Sequence, residues 1–279
     1  RLTTFQTMKI LISTDIEGVA GVFHREQTRA GNTEYERARR LMTDEANAAI
    51  AGAFDAGASA VLVNDSHGSF RNLLADLLDA RAQVVQGKPR YLSMMAGVEQ
   101  GVNAVCMIGY HSRAQGRGIL AHTINSFAFA RVFFNAQELG EAGIYGALAG
   151  EYGAPVLMAS GDNVFIDENR ALFPHTVFVQ TKQAHCQHSG TSLSPLQACS
   201  AIRSGVATAL AQRPASQPLV LAGPIAVRIQ TTTPAMADLF CQWPSLHRLQ
   251  GNEVTFEAPT VEAAVRMVNC LSAMSAMLR

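Results

Sequence analysis

The chain alternates short runs of Val, Ile and Leu with longer segments whose apolar residues recur at three- and four-residue steps. This alternation is typical of βαβ units, because two parallel strands need a helix-length crossover between them. Lys9 to Thr14 (KILIST) is the first predicted strand, and a helix follows from about Glu34 until Gly57. Ala60 to Asn64 (AVLVN) is the next strand. The pattern therefore predicts an α/β fold, with a Rossmann-like, mostly parallel sheet flanked by helices.

The same pattern continues along the chain. Further strands are predicted over residues 82–86, 104–109, 155–160 and 176–180, and helices over 139–152 and 195–211. Residues 127–134 alternate without a helical period, which predicts an additional, antiparallel strand.

A stretch with two prolines, residues 213–218, has the composition of a linker. We therefore expect an α/β metal-binding catalytic domain over residues 8–213 and a smaller α+β subdomain over residues 214–279. The subdomain has predicted strands over 219–230 and 254–257 and a last helix from Val261. Residues 1–7 are expected to be a lead-in, with Met8 as the natural start.

Composition excludes several classes of function. The 22 Lys and Arg residues balance the 22 Asp and Glu residues, which argues against the basic surface of a nucleic-acid-binding protein. No apolar run approaches the ~20 residues of a membrane span, so no membrane association is expected. Charged residues make up 16% of the chain, which is low, and we expect copies of the chain to cover part of its surface. The five cysteines show no C-x-x-C spacing, which favours reduced thiols and a cytoplasmic location.

The ends of the predicted strands carry the candidate functional residues. In doubly wound sheets, ligands bind beyond the carboxyl ends of the strands. The first strand ends in Ser13-Thr-Asp-Ile-Glu-Gly18, where Asp15 and Glu17 project to the same side of an extended chain. Two such carboxylates repel each other unless a cation or a proton lies between them. For this pair alone, an ordinary polar exit from the strand is the competing interpretation.

Three histidines follow predicted strands, in Asn64-Asp-Ser-His67, in Gly109-Tyr-His111 and at His122. Imidazole and carboxylate ligands together suit zinc or another divalent transition metal. The phosphate-binding motifs G-x-x-x-x-G-K-[ST] and G-x-G-x-x-G do not occur, and neither do H-E-x-x-H or G-x-S-x-G. The sequence therefore predicts a metal site formed by separate strand ends.

These motifs resemble the D-aminopeptidase family of zinc peptidases. The segment from Ser13 to Gly18 matches the S-x-D-x-E-G signature of that family. Further blocks match in the same order, and they are Asn64-Asp-Ser-His67, Gly109-Tyr-His111, His122, Gly140-Glu141 and Ala159-Ser-Gly-Asp162. The resemblance extends from Met8 almost to the end of the chain.

The resemblance implies a site with two zinc ions per subunit. The positions that match its metal ligands are Asp15, Glu17, His67, His111 and Glu141, with Asp15 as the bridging carboxylate. His122 matches the catalytic position, as either general base or nucleophile. Glu138 is a rival for the role of Glu141. The family tends to carry an Arg where this chain has Gln187. If that Arg contacts substrate or a neighbouring subunit, specificity or assembly differs here.

Two more aspartates, Asp65 and Asp162, are candidates for holding ligand imidazoles in one tautomer, or else are ordinary capping and turn residues. The resemblance further implies hydrolysis of short peptides such as D-Ala-D-Ala and a ring-shaped homodecamer. Two alternatives remain from the residues themselves. One is a metal-dependent amidase or phosphoesterase, and the other is a non-enzymatic ligand-binding module.

Overall fold

The computed structural model describes residues 7–279, so most of the predicted lead-in lies outside the described residues. The strands are β1 (Lys9–Thr14), β2 (Ala60–Asp65), β3 (Gln83–Val85), β4 (Ala104–Ile108), β5 (Phe129–Phe134), β6 (Gln137–Glu138), β7 (Val156–Asp162), β8 (Val177–Cys186), β9 (Ser189–Ser192), β10 (Ile225–Thr231), β11 (His247–Gln250) and β12 (Glu253–Ala258). The α-helices are α1 (Thr33–Asp55), α2 (Glu141–Glu151), α3 (Asn163–Asn169), α4 (Pro195–Gln212), α5 (Pro234–Phe240) and α6 (Val261–Met274).

Seven strands form the main sheet in the order β3-β2-β1-β4-β7-β8-β9. All neighbouring strands are parallel except β8 and β9, which pair antiparallel. Thr14 at the end of β1 is in register with Asp65 on β2 and with Ile108 on β4. These three neighbouring strands therefore end at one edge of the sheet. The predicted α/β fold with a mostly parallel sheet is confirmed.

Both faces of this sheet are buried. Ile10 and Ile12 belong to a cluster that includes buried residues of α1 and α4, whereas Leu11 belongs to a second cluster with α2 and α6. This alternation follows from the two-residue period of a strand. Gly52 lets α1 approach α4 closely, because a Cβ at this position would lie 2.4 Å from the carbonyl oxygen of Arg203.

A second, antiparallel sheet has the order β11-β12-β10-β5-β6. The antiparallel strand predicted over 127–134 is confirmed as β5. This sheet takes strands from both sides of residue 214, and the division of the chain at that residue stays a prediction. The strand expected from residue 219 begins only at Ile225, because Pro218 and Pro224 have no N–H group to donate to a neighbouring strand.

The C-terminal helix packs on this second sheet. Residues 261–278 reach the length and mean hydropathy (1.2) of a membrane-spanning helix, which is weak evidence because core helices pass the same test. Its apolar stripe, including Val265, Val268 and Leu271, is buried in the protein.

Candidate metal centre and cavity

The residues predicted at the strand ends come together in one buried cluster. Asp15 and Glu17 follow β1, His67 follows β2, and His111 follows β4. Glu141 is the first residue of α2, and His122 lies in the long segment between β4 and β5. The helix expected from residue 139 begins two residues later, after the buried Leu139 and the N-cap Gly140.

The backbone segments that follow β1 and β4 pack closely against each other. The amide of Asp15 donates to Ile108 O (2.8 Å), and the amide of Gly18 donates to Gly109 O (2.7 Å). A Cβ on Gly18 would lie 2.0 Å from the carbonyl oxygen of Tyr110, so only glycine fits here. Steric contact with the segment after β4 therefore explains why the S-x-D-x-E-G signature ends in glycine.

His67 presents one ring nitrogen to both carboxylates of the signature. Its Nδ1 lies 3.2 Å from Asp15 Oδ1 and 3.1 Å from Glu17 Oε2. Its Nε2 lies 2.7 Å from Thr28 O, which can only accept a hydrogen bond. In the neutral ring, this contact favours the proton on Nε2 and directs the lone pair of Nδ1 at the carboxylates, where a metal ion would bind.

His111 makes the corresponding contacts on the other side of Asp15. Its Nε2 lies 3.4 Å from Asp15 Oδ2 and 3.2 Å from Glu141 Oε2, and its Nδ1 lies 3.0 Å from Ser112 O. The two oxygens of Asp15 thus approach two different imidazoles. Glu141 Oε1 accepts a hydrogen bond from the amide of Ile124 (2.6 Å), which leaves Oε2 facing His111.

His122 stacks on His111, with ring centroids 4.1 Å apart and an angle of 11° between the planes. Its Nδ1 lies 3.0 Å from Leu120 O, and its Nε2 lies 3.7 Å from Glu141 Oε1. Its side chain is 22% exposed, more than any other of the six. Two sets of ligand atoms, each within 4.8 Å of one another, have the spacing to hold a metal ion, and they are His111, His122, Glu141 and Asp15, Glu17, His111.

Burial and charge perturb these groups strongly. Burial and the nearby Glu17 raise the pKa of Asp15. Burial would also raise the pKa of Glu17, but His67 outweighs it and holds that pKa well below its ordinary value. Burial would lower the pKa of His67, yet the carboxylates of Glu17 and Asp15 raise it well above its ordinary value. The cluster therefore attracts positive charge, which either protons or metal ions can supply.

Two buried atoms of the cluster have no hydrogen-bond partner within the described chain, Glu17 Oε2 and His111 Nε2. Buried polar atoms without partners are rare in folded proteins, and a metal ion would satisfy both atoms. Asp15, His67, His122 and Glu141 line one cavity of about 750 Å³. A cavity of this size suits a small-molecule substrate.

Asp65 and Asp162 lie near the cluster and take the capping and turn roles rather than holding imidazoles. Asp65 accepts hydrogen bonds from the amides of Asn72 (2.6 Å) and Leu73 (2.8 Å). Asp162 accepts from the amides of Ile119 (2.6 Å) and Phe165 (2.8 Å). Backbone carbonyl groups contact the imidazoles instead. The two aspartates therefore stabilise the segments that follow β2 and precede His122.

The structure separates Glu138 from Glu141. Glu138 contacts Arg113 and Arg131 at 3.5 and 3.3 Å, whereas Glu141 lies in the cluster. Gln187 lies against the segment that carries His122, because its carbonyl oxygen accepts a hydrogen bond from Leu120 N (2.9 Å). Gln187 is thus close to the site.

Sequence reasoning did not identify Lys182, a buried residue of β8. Its Nζ donates to the backbone oxygens of Glu17 (2.5 Å) and Val22 (2.6 Å), and these bonds hold the segment that follows β1 in place. Asn269 and Ser272 on α6, which line the cavity, were also not predicted from the sequence. No local pattern marks these residues, since tertiary packing alone brings them to the site.

Comparison with known proteins agrees with this geometry. The family model described as D-aminopeptidase matches residues 8–270. A D-aminopeptidase of Bacillus subtilis (strain 168) is 31% identical over 271 residues, covering 97% of this chain and 96% of the relative. The solved structure of the Zn-dependent D-aminopeptidase DppA from Bacillus subtilis, described as a self-compartmentalizing protease, superposes with a TM-score of 0.93 at 29% identity and covers 96% of this chain and 98% of its own.

The family matches and the clustered residues support each other, because every residue of the cluster lies in one of the sequence blocks that carried the resemblance. The resemblance inferred from the sequence is therefore confirmed. The chain belongs to the D-aminopeptidase family of peptidases.

Proposed function

We propose that this protein is a zinc-dependent aminopeptidase that removes the N-terminal residue of short peptides containing D-amino acids, such as D-Ala-D-Ala. The observation that carries the proposal is the convergence of three buried carboxylates and two imidazoles in one cluster that borders a cavity. Within the described chain, Glu17 Oε2 and His111 Nε2 of this cluster have no hydrogen-bond partner. Mixed nitrogen and oxygen ligands suit zinc. Similarity to a structure described as Zn-dependent supports the same metal.

We assign two zinc ions per subunit to the side chains of Asp15, Glu17, His67, His111 and Glu141. The two oxygens of Asp15 approach His67 and His111 separately, which supports a bridging role. Five side chains, one of them shared, leave coordination positions open, as a catalytic site requires. Zinc bound there would polarise the scissile carbonyl group and lower the pKa of a water molecule.

His122 is assigned to catalysis. The contact of its Nδ1 with Leu120 O directs its Nε2 toward the cluster and the cavity. From there Nε2 takes a proton from the attacking water and returns it to the leaving amine, or it attacks the carbonyl carbon itself. Both roles remain open, and both need the tautomer that the Leu120 contact favours.

Two variants separate the metal ligands from the catalytic residue. Asp15→Asn is expected to lose bound zinc and hydrolysis of D-Ala-D-Ala together. His122→Ala is expected to retain zinc while kcat falls by about 100-fold or more, the usual size of a general-base contribution. Metal analysis of the purified proteins, beside assays of D-Ala-D-Ala and L-Ala-L-Ala, measures both.

Full activity and zinc content in Asp15→Asn would contradict the assignment. Loss of zinc in His122→Ala would make His122 a ligand instead. A panel of simple amides and phosphate esters belongs in the same assay, because faster turnover of either would move the function to an amidase or phosphoesterase.

We also propose that the protein assembles as a homodecamer in the cytoplasm. The low share of charged residues, 16%, and the relative described as self-compartmentalizing support assembly. All five cysteines are free thiols, which suits a reducing compartment. Light scattering tests the assembly and cell fractionation tests the location.

A further inference from the structure

The cavity has a cationic wall, formed by Lys88, Arg90 and Arg279, that the proposed mechanism does not use. None of these three residues forms a salt bridge within residues 7–279. Side-chain cations that share a cavity without carboxylate partners repel one another and attract an anion. The wall therefore has the charge of an anion site.

Phe70 holds two of these cations in place. The guanidinium carbon of Arg90 lies 3.9 Å from the centroid of the Phe70 ring, and Lys88 Nζ lies 5.7 Å from it. Phe70 adopts a φ of +58°, a left-handed conformation that is unfavourable for a bulky side chain. Such strained residues often occur where a ligand is held.

Arg90 and Lys88 differ in how much of their hydrogen-bonding capacity is free. Arg90 donates to Val85 O (3.1 Å), to Asn64 Oδ1 (2.9 Å) and to the backbone oxygen of Asp65, and its buried Nε has no partner in the described chain. Lys88 is exposed, and among residues 7–279 its Nζ donates only to Gly68 O (3.2 Å). Two of the three ammonium protons of Lys88 therefore remain available to a ligand.

The position of Lys88 relates this wall to the proposed reaction. Gly68 directly follows His67, so the Lys88 ammonium group contacts the segment that carries this cluster residue and lines the same cavity. A dipeptide whose scissile carbonyl is at the cluster carries its α-carboxylate only one residue further on. The unpaired positive charges of the cationic wall attract that group.

We propose that Lys88, supported by the charges of Arg90 and Arg279, binds the α-carboxylate of the residue after the scissile bond. This inference rests on the proposed aminopeptidase function and specifies its substrate class. It makes the protein selective for dipeptides with a free carboxyl group over the corresponding amides.

The test compares D-Ala-D-Ala with D-Ala-D-Ala amide. In Lys88→Met, KM for the free acid is expected to rise about tenfold, the usual effect of losing one charge-assisted hydrogen bond, with little change in kcat. KM for the amide is expected to stay the same, and Lys88→Arg is expected to restore most of the loss. Arg71→Met is the control, because Arg71 is an exposed cation of the same loop region that does not line the cavity.

Calorimetric binding of the reduced-amide analogue of D-Ala-D-Ala, as free acid and as carboxamide, supplies a readout without turnover. If the wild type binds the free acid more tightly than the carboxamide and Lys88→Met abolishes this preference, the inference is supported. Failure of the wild type to hydrolyse either peptide would refute only the proposed function. If Lys88→Met weakens the binding of the acid and of the amide equally, or weakens neither, the inference is overturned.

Discussion

Lys182 and Glu45 are two buried ionisable residues that lie behind the metal centre rather than in it. Lys182 donates to the backbone of Glu17 and Val22, and Glu45 Oε1 accepts from the amide of Ala20 (2.9 Å). Both residues thus fix the loop that carries Asp15 and Glu17. Burial lowers the pKa of Lys182 to about 8 and raises the pKa of Glu45 to about 7. Each charge is therefore costly at its position.

Glu45→Gln is expected to make the folded state less sensitive to alkaline pH. The pKa of Glu45 rises from 4.5 to about 7 because burial disfavours the carboxylate. A carboxyl group with a raised folded-state pKa contributes stability below pH 4.5 that is lost as the pH rises through 7. This loss is on the order of 3 kcal/mol for the wild type. Urea unfolding of both proteins at about pH 5 and about pH 8 measures it.

Between about pH 5 and about pH 8, the free energy of unfolding should therefore fall less for Glu45→Gln than for the wild type. Glu257→Gln is a suitable control, because Glu257 is an exposed carboxylate on β12. A pH-independent difference between Glu45→Gln and the wild type would show that Glu45 does not titrate in this range.

At the level of structural elements, the segment between β4 and β5 depends on contacts from its neighbours. It carries His122, and Leu120 and Ile124 on either side have φ values of +56° and +60°. Asp162, at the end of β7 and the N-cap of α3, accepts from Ile119 N. Gln187 O and Glu141 Oε1 accept from the amides of Leu120 and Ile124. Without these contacts, the unfavourable backbone around His122 would relax.

Asp162→Ala is expected to lower kcat more than its effect on stability would suggest. The substitution removes the N-cap of α3, which costs about 1 kcal/mol, and also releases the segment that positions His122. Asp162→Asn, which keeps an oxygen for one of the two amides, should recover part of kcat. Steady-state kinetics and thermal unfolding of the variants measure the two effects.

Ser194→Ala provides the matched comparison, because Ser194 caps α4, which packs on α1. It should reduce stability by a similar amount and leave kcat unchanged. If Asp162→Ala behaves in the same way, its contact with Ile119 has no part in positioning His122.

The cluster residues that follow the strands were predictable from the sequence, whereas the residues that line the rest of the cavity were not. Asp15, His67 and His111 each lie within three residues of the end of an apolar strand, and parallel strands end at one edge of a sheet. Local pattern and fold class together were enough to bring them close. The cationic residue Lys88 lies in the irregular segment between β3 and β4, and Ser272 lies on α6, which packs on the second sheet and on α2. Tertiary packing brings them to one cavity, and no local pattern encodes it.

At the scale of the whole molecule, the exposed apolar side chains bear on the proposed assembly. Leu196, Val220 and Met277 are 85%, 69% and 77% exposed in the single chain. The chain has equal numbers of acidic and basic residues, and both are scarce. An interface between copies would therefore depend mainly on apolar contacts, since few charges are available for ion pairs.

We expect light scattering to give a mass several times the 29.9 kDa of one chain, and we expect that mass to be insensitive to salt. Salt shortens the screening length from about 10 Å at 0.1 M to about 3 Å at 1 M, which weakens ion pairs but not apolar contacts. Measurement at these two ionic strengths therefore tests both the assembly and its physical basis. A monomer at both would refute the assembly, whereas dissociation at the higher salt would show that ion pairs hold it together.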